Sequence, residues 1–123
     1  MSTRRQEKMA RIVRDAVSGA VANLSDPRIT SFVSILRVQV AADLRIADVY
    51  FSLFGGSDAD QRKTFVAIEH ARARIQSILA GSLECRYSPV LRFHRDEQFK
   101  KTMEAYHILD EEAARRRSEE QQA

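Results

Sequence analysis

VSILRVQVAADLRIADVYFSLFGG, residues 33–56, is the stretch on which the fold turns. Residues 33–40 are dense in branched side chains, and in 45–54 Ala47, Val49, Phe51 and Leu53 alternate with Asp48, Tyr50 and Ser52. Successive strand side chains point to opposite faces, so each segment reads as a strand with one apolar and one wet face. The short link Ala41-Ala42-Asp43 suits an antiparallel hairpin, and Gly55-Gly56 ends the second strand. Beyond it, Asp58 with Gln61 three positions later has capping-box form, and Phe65, Ile68, Ala71, Ile75, Ile78 and Leu79 keep helical spacing to a stop by Gly81. PVLRF, residues 89–93, opens a last strand with Leu91 and Phe93 on one face, Arg92 and His94 on the other. A strand, helix and strand of one sheet connect by a right-handed crossover, which sets this strand parallel to the second. The expectation is an α+β fold around a three-stranded mixed sheet.

Arg72 falls beside the apolar line of the crossover helix, where an unbroken helix brings a guanidinium to the edge of the core. A bend at that point relieves the conflict. Before the hairpin, Met9, Ile12, Val13, Ala16, Val17, Ala20, Val21 and Leu24 recur at steps of three and four, one apolar stripe on a helix starting near residue 4. It should stop near Ser25, because Asp26-Pro27 pushes the preceding backbone out of helical geometry. After Asp96, Phe99, Met103, Tyr106 and Leu109 mark a terminal helix, and the last residues, with nothing apolar larger than alanine, read as a frayed tail. The division is therefore a compact domain over 1–96 and a helix with flexible tail over 97–123.

At 123 residues and 14.0 kDa a second core does not fit. Hydrophobic residues at 44% and charged residues at 30% belong to a folded chain rather than a disordered one. The net charge is +3 and the isoelectric point near 9.3 rests less on lysine than on arginine, whose planar fork matches phosphate oxygens. A single Cys85 forms no internal disulfide, the start of the chain lacks the apolar core of a signal peptide, and no stretch approaches the ~20 apolar residues of a membrane span. A reducing cytoplasmic setting, with no membrane, is expected.

Arg4, Arg5, Lys8, Arg11 and Arg14 crowd the front of helix 1, and Arg62, Lys63, Arg72 and Arg74 lie on the crossover helix. Basic residues at a helix start oppose the macrodipole, a cost that a phosphate partner repays through counterion release. The plain alternative is a solvated charged face. Ala71 and Ala73 beside Arg72 allow close approach of a nucleic-acid backbone to the bend. Arg86, Arg92 and Arg95 are isolated and read as solvated; Tyr50 either stacks on a base or is simply half-buried. His70, His94 and His107 lie far apart, Glu69-His70 reads as an exposed helical pair, and Gly55-Gly56-Ser57 lacks the lysine of a phosphate loop. No catalytic centre, metal or cofactor is expected.

Three pieces, in order and at similar separations, resemble the ribosome-binding factor A family: Asp26-Pro27-Arg28, the run from Val38-Gln39-Val40 through Ala41-Ala42-Asp43-Leu44 into Ala47-Asp48-Val49-Tyr50, and Pro89-Val90-Leu91-Arg92-Phe93 with Asp96 following. The resemblance covers residues 5–109. It implies a type II KH-like domain of order α-β-β-α-(bend)-α-β with helices on one side of the sheet. It further implies a non-catalytic monomer that binds the small ribosomal subunit and its rRNA during late maturation and 5′-end processing, with importance in the cold, and that is released with the aid of a GTPase. The candidate RNA-binding set is Arg4, Arg5, Lys8, Arg11, Arg28, Arg62, Lys63, Arg72 and Arg74. The family's kink has the form Ala-x-Gly; here the positions read Ala71-Arg72-Ala73, and loss of the glycine favours a gentler bend. A reading of another class is a protein-interaction module that docks a ribosomal protein or assembly GTPase through the helix at 99–109.

Overall fold

A computed structural model of the chain describes residues 2–83, 87–97, 109 and 113–116. Its elements are α1 (Arg4–Ala22), β1 (Phe32–Val40), β2 (Ile46–Phe54), α2 (Asp58–His70), α3 (Arg72–Ser82) and β3 (Val90–Arg95). The sheet order is β1-β2-β3, antiparallel in the hairpin and parallel between β2 and β3. α1 packs against β1 and α3, and α3 against β3. Leu109 and residues 113–116 are helical and exposed. The expected helix positions Phe99, Met103 and Tyr106 lie outside the described residues, as do Cys85, Arg86, His107 and the tail beyond 116.

Each element boundary has a local cause. At the start of α1, Thr3 Oγ1 accepts from the Gln6 N–H at 3.2 Å and Gln6 Oε1 accepts from the Thr3 N–H at 2.8 Å. The same glutamine's Nε2 donates to the Val40 carbonyl at 2.9 Å, fastening the helix start to the end of β1. A cap of this kind contributes about 1 kcal/mol, enough to offset a basic first turn worth a few tenths. α1 ends at Ala22, short of Ser25, because the Asn23 and Leu24 N–H groups close back on Ala20 and Val21 and the Asn23 amide donates to Gly19. In the hairpin, the Leu44 N–H donates to the Ala41 carbonyl and Leu44 takes φ +61°, a left-handed position costing a non-glycine residue about 1–2 kcal/mol. Packing of its side chain against the core compensates.

The strand register corrects the simple alternation in two places. Between Ile35 and Arg37 the β1–β2 register shifts, a bulge at Leu36 that turns Arg37 to the outer face opposite Tyr50 while Val33, Val38 and Val40 keep to the core side. Ser52, read as wet, is only 2% exposed, on the central strand and paired with Ser34 of β1. The cap of α2 is also displaced by one residue. Ser57, not Asp58, is the N-cap, and Asp60, not Gln61, closes the box, its Oδ2 accepting from the Ser57 N–H at 2.9 Å. Gln61 instead turns inward, where its Oε1 accepts from Arg95 at 2.6 Å.

Val13, Val17, Val49, Phe51, Ile68, Ile75, Leu79 and Leu91 are fully enclosed between the helices and the sheet, and Phe93 meets Phe51 edge-on with centroids 5.1 Å apart. Each such side chain contributes about 1.5–3 kcal/mol of burial. Ile78, expected in the stripe, is instead exposed at the rim of a groove where Gly19 offers no side chain to cover it. The outer edge of β3 is occupied by side chains of α3: Gln76 donates to the Pro89 carbonyl at 2.7 Å and accepts from the Leu91 N–H at 2.8 Å, while Arg72 donates to the Leu91 carbonyl at 3.3 Å. Residues four apart on one helix thus replace a neighbouring strand and shield the edge from further pairing.

Candidate nucleic-acid interface

The break that the misplaced Arg72 foretells falls at Ala71. Its φ of −83° and ψ of −2° leave it at the margin of helical space, and its N–H is shared by the carbonyls of Ala67 and Ile68, both at 3.1 Å. The next helix starts with the Ile75 N–H on the Ala71 carbonyl at 2.9 Å. A ψ near zero with negative φ is open to alanine, so the helices part without a glycine and without a left-handed residue. No side chain caps the start of α3.

Against this break lies the turn that follows α1. The Asp26 carboxylate accepts from the Arg28 backbone N–H at 2.9 Å, and from the guanidinium through Nε at 3.1 Å and NH2 at 2.7 Å. These bonds from Arg28, side chain first and then backbone, push the Asp26 carboxyl down to about 2. The third nitrogen of the fork, NH1, reaches His70 Nδ1 at 3.1 Å. Below them Thr64, with no exposed surface, holds the segment in place: its Oγ1 accepts from the N–H groups of Thr30 and Ser31, both at 3.2 Å, and donates toward the carbonyls of Asp60 and Arg28. The result is an open groove of about 580 Å³ between the turn and the break, with Arg28, His70 and Arg74 on its walls and Pro27, Ala67 and Ala71 among its lining.

The candidate basic residues separate into distinct groups. Arg74 stands at the groove, exposed, with no hydrogen bond or ion pair among the described residues. Arg72, though exposed, has one nitrogen committed to the edge of β3. Arg4, Arg5, Lys8 and Arg11 are exposed and unpaired among the described residues, whereas Arg14 donates to the Ile35 carbonyl at 2.8 Å. Arg5 and Lys8 share a groove with Ser82 and Leu83, and Arg74 shares another with Gly19 and Asn23, so α1 and α3 run in opposite directions. The front of α1 and the break therefore lie at opposite ends of α3, whose 11 residues separate them by roughly 16 Å. Arg62 and Lys63 are exposed on the first half of α2 and likewise unpaired among the described residues.

The outer face of the sheet has no open base platform at Tyr50. Arg37 on β1 lies 4.1 Å over its ring and His94 on β3 stacks on it at 4.9 Å, one from each flanking strand. Asp48 then ties β2 to β3, accepting from Arg92 through Nε at 2.8 Å and bonded to His94 at 2.7 Å. The Arg92 bonds are the main cause holding its carboxyl below the usual range. Arg92, expected to be solvated, is half of this pair, and Arg95 is held by Gln61 and Glu97. Among the described residues no His, Cys, Asp or Glu cluster could hold a metal ion, and no helix is long and apolar enough to cross a membrane.

Three residues of this constellation carry no local signal in the sequence. His70 follows Glu69 on the helix, yet its partner is Arg28, 42 positions away. Thr64 sits at an unremarkable polar position of α2, and Gln76 at another of α3; no local spacing announces the strand edge or the turn that each one serves.

A family model described as ribosome-binding factor A matches residues 5–109. The ribosome-binding factor A of Dictyoglomus thermophilum is 34% identical over 98 residues, which is 79% of this chain and 81% of that one. Among solved structures, the crystal structure of ribosome-binding factor A from Thermus thermophilus superposes with a TM-score of 0.62 at 21% identity, covering 73% of this chain and 93% of its own. A homology model of the Thermus thermophilus factor, fitted into a cryo-electron microscopy map of a 30S complex, gives 0.54 at 21% identity over 79% of this chain and 97% of its own.

Proposed function

Because the chain belongs to the ribosome-binding factor A family, we propose that it binds the small ribosomal subunit through rRNA phosphates during late maturation and 5′-end processing, including in the cold. The fold and the fit of the Thermus thermophilus factor into a 30S map support this reading. The observation that carries it is the set of exposed cations without a hydrogen bond or ion pair among the described residues: Arg4, Arg5, Lys8 and Arg11 at one end of the helical layer, Arg62 on α2, and Arg74 at the break, with Lys63 on α2 offset only through the field of Asp60. A cation without a bonded carboxylate repels its like-charged neighbours, and a polyanion relieves that repulsion. On this reading the protein is a cytoplasmic, monomeric, non-catalytic factor that stabilises one rRNA conformation by occupying it and leaves once maturation, aided by an assembly GTPase, is complete.

Arg74→Glu is the cleanest test, because Arg72 also props the edge of β3 and its reversal mixes binding with stability. Co-sedimentation with immature small subunits across a salt series should show weaker binding for Arg74→Glu and a salt slope smaller by about 1. Wild-type affinity and slope in a folded Arg74→Glu protein would overturn the assignment of the break to phosphate.

A further inference from the structure

In the groove between the 24–28 turn and the helix break, Arg28 NH1 lies 3.1 Å from His70 Nδ1. A guanidinium nitrogen only donates, so in this contact Nδ1 faces the arginine as the acceptor. The other two contacting nitrogens of Arg28 are held by Asp26, leaving NH1 as the part of the fork that can be redirected. Across the groove stands Arg74, unpaired among the described residues. The charged and titratable groups facing His70 are thus Asp26 and Arg28 from the turn and Arg74 from α3, with Glu69 adjacent on its own helix.

We propose that this groove is a proton-linked phosphate site: an RNA phosphodiester draws NH1 of Arg28 off His70, the freed Nδ1 takes a proton from solvent, and the imidazolium becomes a second donor to the same phosphate alongside Arg74. The proton balance is simple. One proton enters His70 for each phosphate bound, the phosphodiester stays anionic, and no covalent bond changes. Arg28, His70 and Arg74 all line this one open groove, together with the short side chains of Ala67 and Ala71. Histidine suits this role because an anion within hydrogen-bond reach favours its protonated form. The inference rests on the RNA-binding reading above and adds to it a residue, His70, and a pH dependence.

The test is calorimetric titration of the full chain with a short single-stranded oligouridylate at low salt and pH 7.5, repeated in buffers of different ionisation enthalpy. Wild type should take up close to one proton per RNA bound, with affinity rising up to about tenfold per unit of pH lowered. His70→Gln, a substitution at an exposed side chain, should still bind at pH 7.5 but with no linked proton and a flat pH profile. Arg28→Gln and Arg74→Gln should weaken binding in both backgrounds. Binding by wild type without proton uptake, or equal uptake by His70→Gln, overturns the proton-linked site while leaving RNA binding intact. No binding by wild type at low salt overturns both.

Discussion

Replacing Thr64 by valine removes one oxygen and little volume, and it should be among the more damaging single changes on the helical side. The Thr64 hydroxyl accepts from two backbone N–H groups, of Thr30 and Ser31, at a position with no exposed surface. Valine leaves both donors without their acceptor. At about 1–3 kcal/mol for the buried Ser31 N–H left unsatisfied, and about 1 kcal/mol for the part-buried Thr30 N–H, the loss is about 2–4 kcal/mol. The donated bond to Asp60 adds little, since a helical carbonyl already has its own partner. The control is Thr64→Ser, which keeps the hydroxyl and loses one enclosed methyl, about 1 kcal/mol. Hydrogen bonding therefore ranks wild type above serine above valine, whereas apolar burial alone ranks valine above serine. Urea denaturation followed by circular dichroism, read as midpoints at constant slope, separates the two; the melting temperature of Thr64→Val should fall by at least about 8 °C. A valine variant as stable as the serine one would show that the turn carrying Arg28 is held by packing, and would remove the reason for its fixed position at the groove.

Two further outcomes follow from the same geometry. The Asp26 carboxyl titrates near 2 in the folded chain against 3.8 ordinarily, so its pair with Arg28 stabilises the fold fully above about pH 4 and is lost as pH falls toward 2; urea midpoints of wild type and Asp26→Asn should differ at neutral pH and converge across that interval, and a constant difference would refute the linkage. Gln76→Ala should cost about 1–3 kcal/mol and expose the Leu91 amide to hydrogen exchange, because the Leu91 N–H loses the acceptor that stands in for a neighbouring strand; unchanged protection of that amide would mean another group takes over the edge.

The parts of the fold that were legible in the sequence are those set by period and chain order. Alternation gave the hairpin faces, and the crossover rule gave the parallel pairing of β2 and β3. The phase slip in β1 was present too, as the step of three from Ile35 to Val38, but the apolar Leu36 between them masks the change of face. The cap of α2 was ambiguous for a different reason. Ser57 and Asp58 are both good N-caps, and each has a partner three residues on, Asp60 or Gln61. What decides between them is tertiary, since Gln61 is drawn inward to Arg95 and cannot also turn back on the helix start.

At the candidate site, composition located the basic residues and overstated how many are available. Arg14, Arg28 and Arg72 have the same sequence character as Arg11, Arg62 and Arg74, yet the first three spend nitrogens on Ile35, Asp26 and Leu91. Spacing along one helix cannot reveal this, because each of those partners lies on another element. The same long-range folding turns the neutral-looking His70 into a wall of the groove. The break at Ala71 shows both limits at once: the conflict of Arg72 with the apolar stripe was enough to place it, and the missing glycine was enough to doubt a sharp one. Once the chain parts there, Arg72 can swing to the edge of β3 and Arg74 to the groove. The interruption that a guanidinium forces on the core is therefore also what sets two arginines, two positions apart, to different tasks: one seals a strand edge, and the other remains uncompensated beside a concave surface.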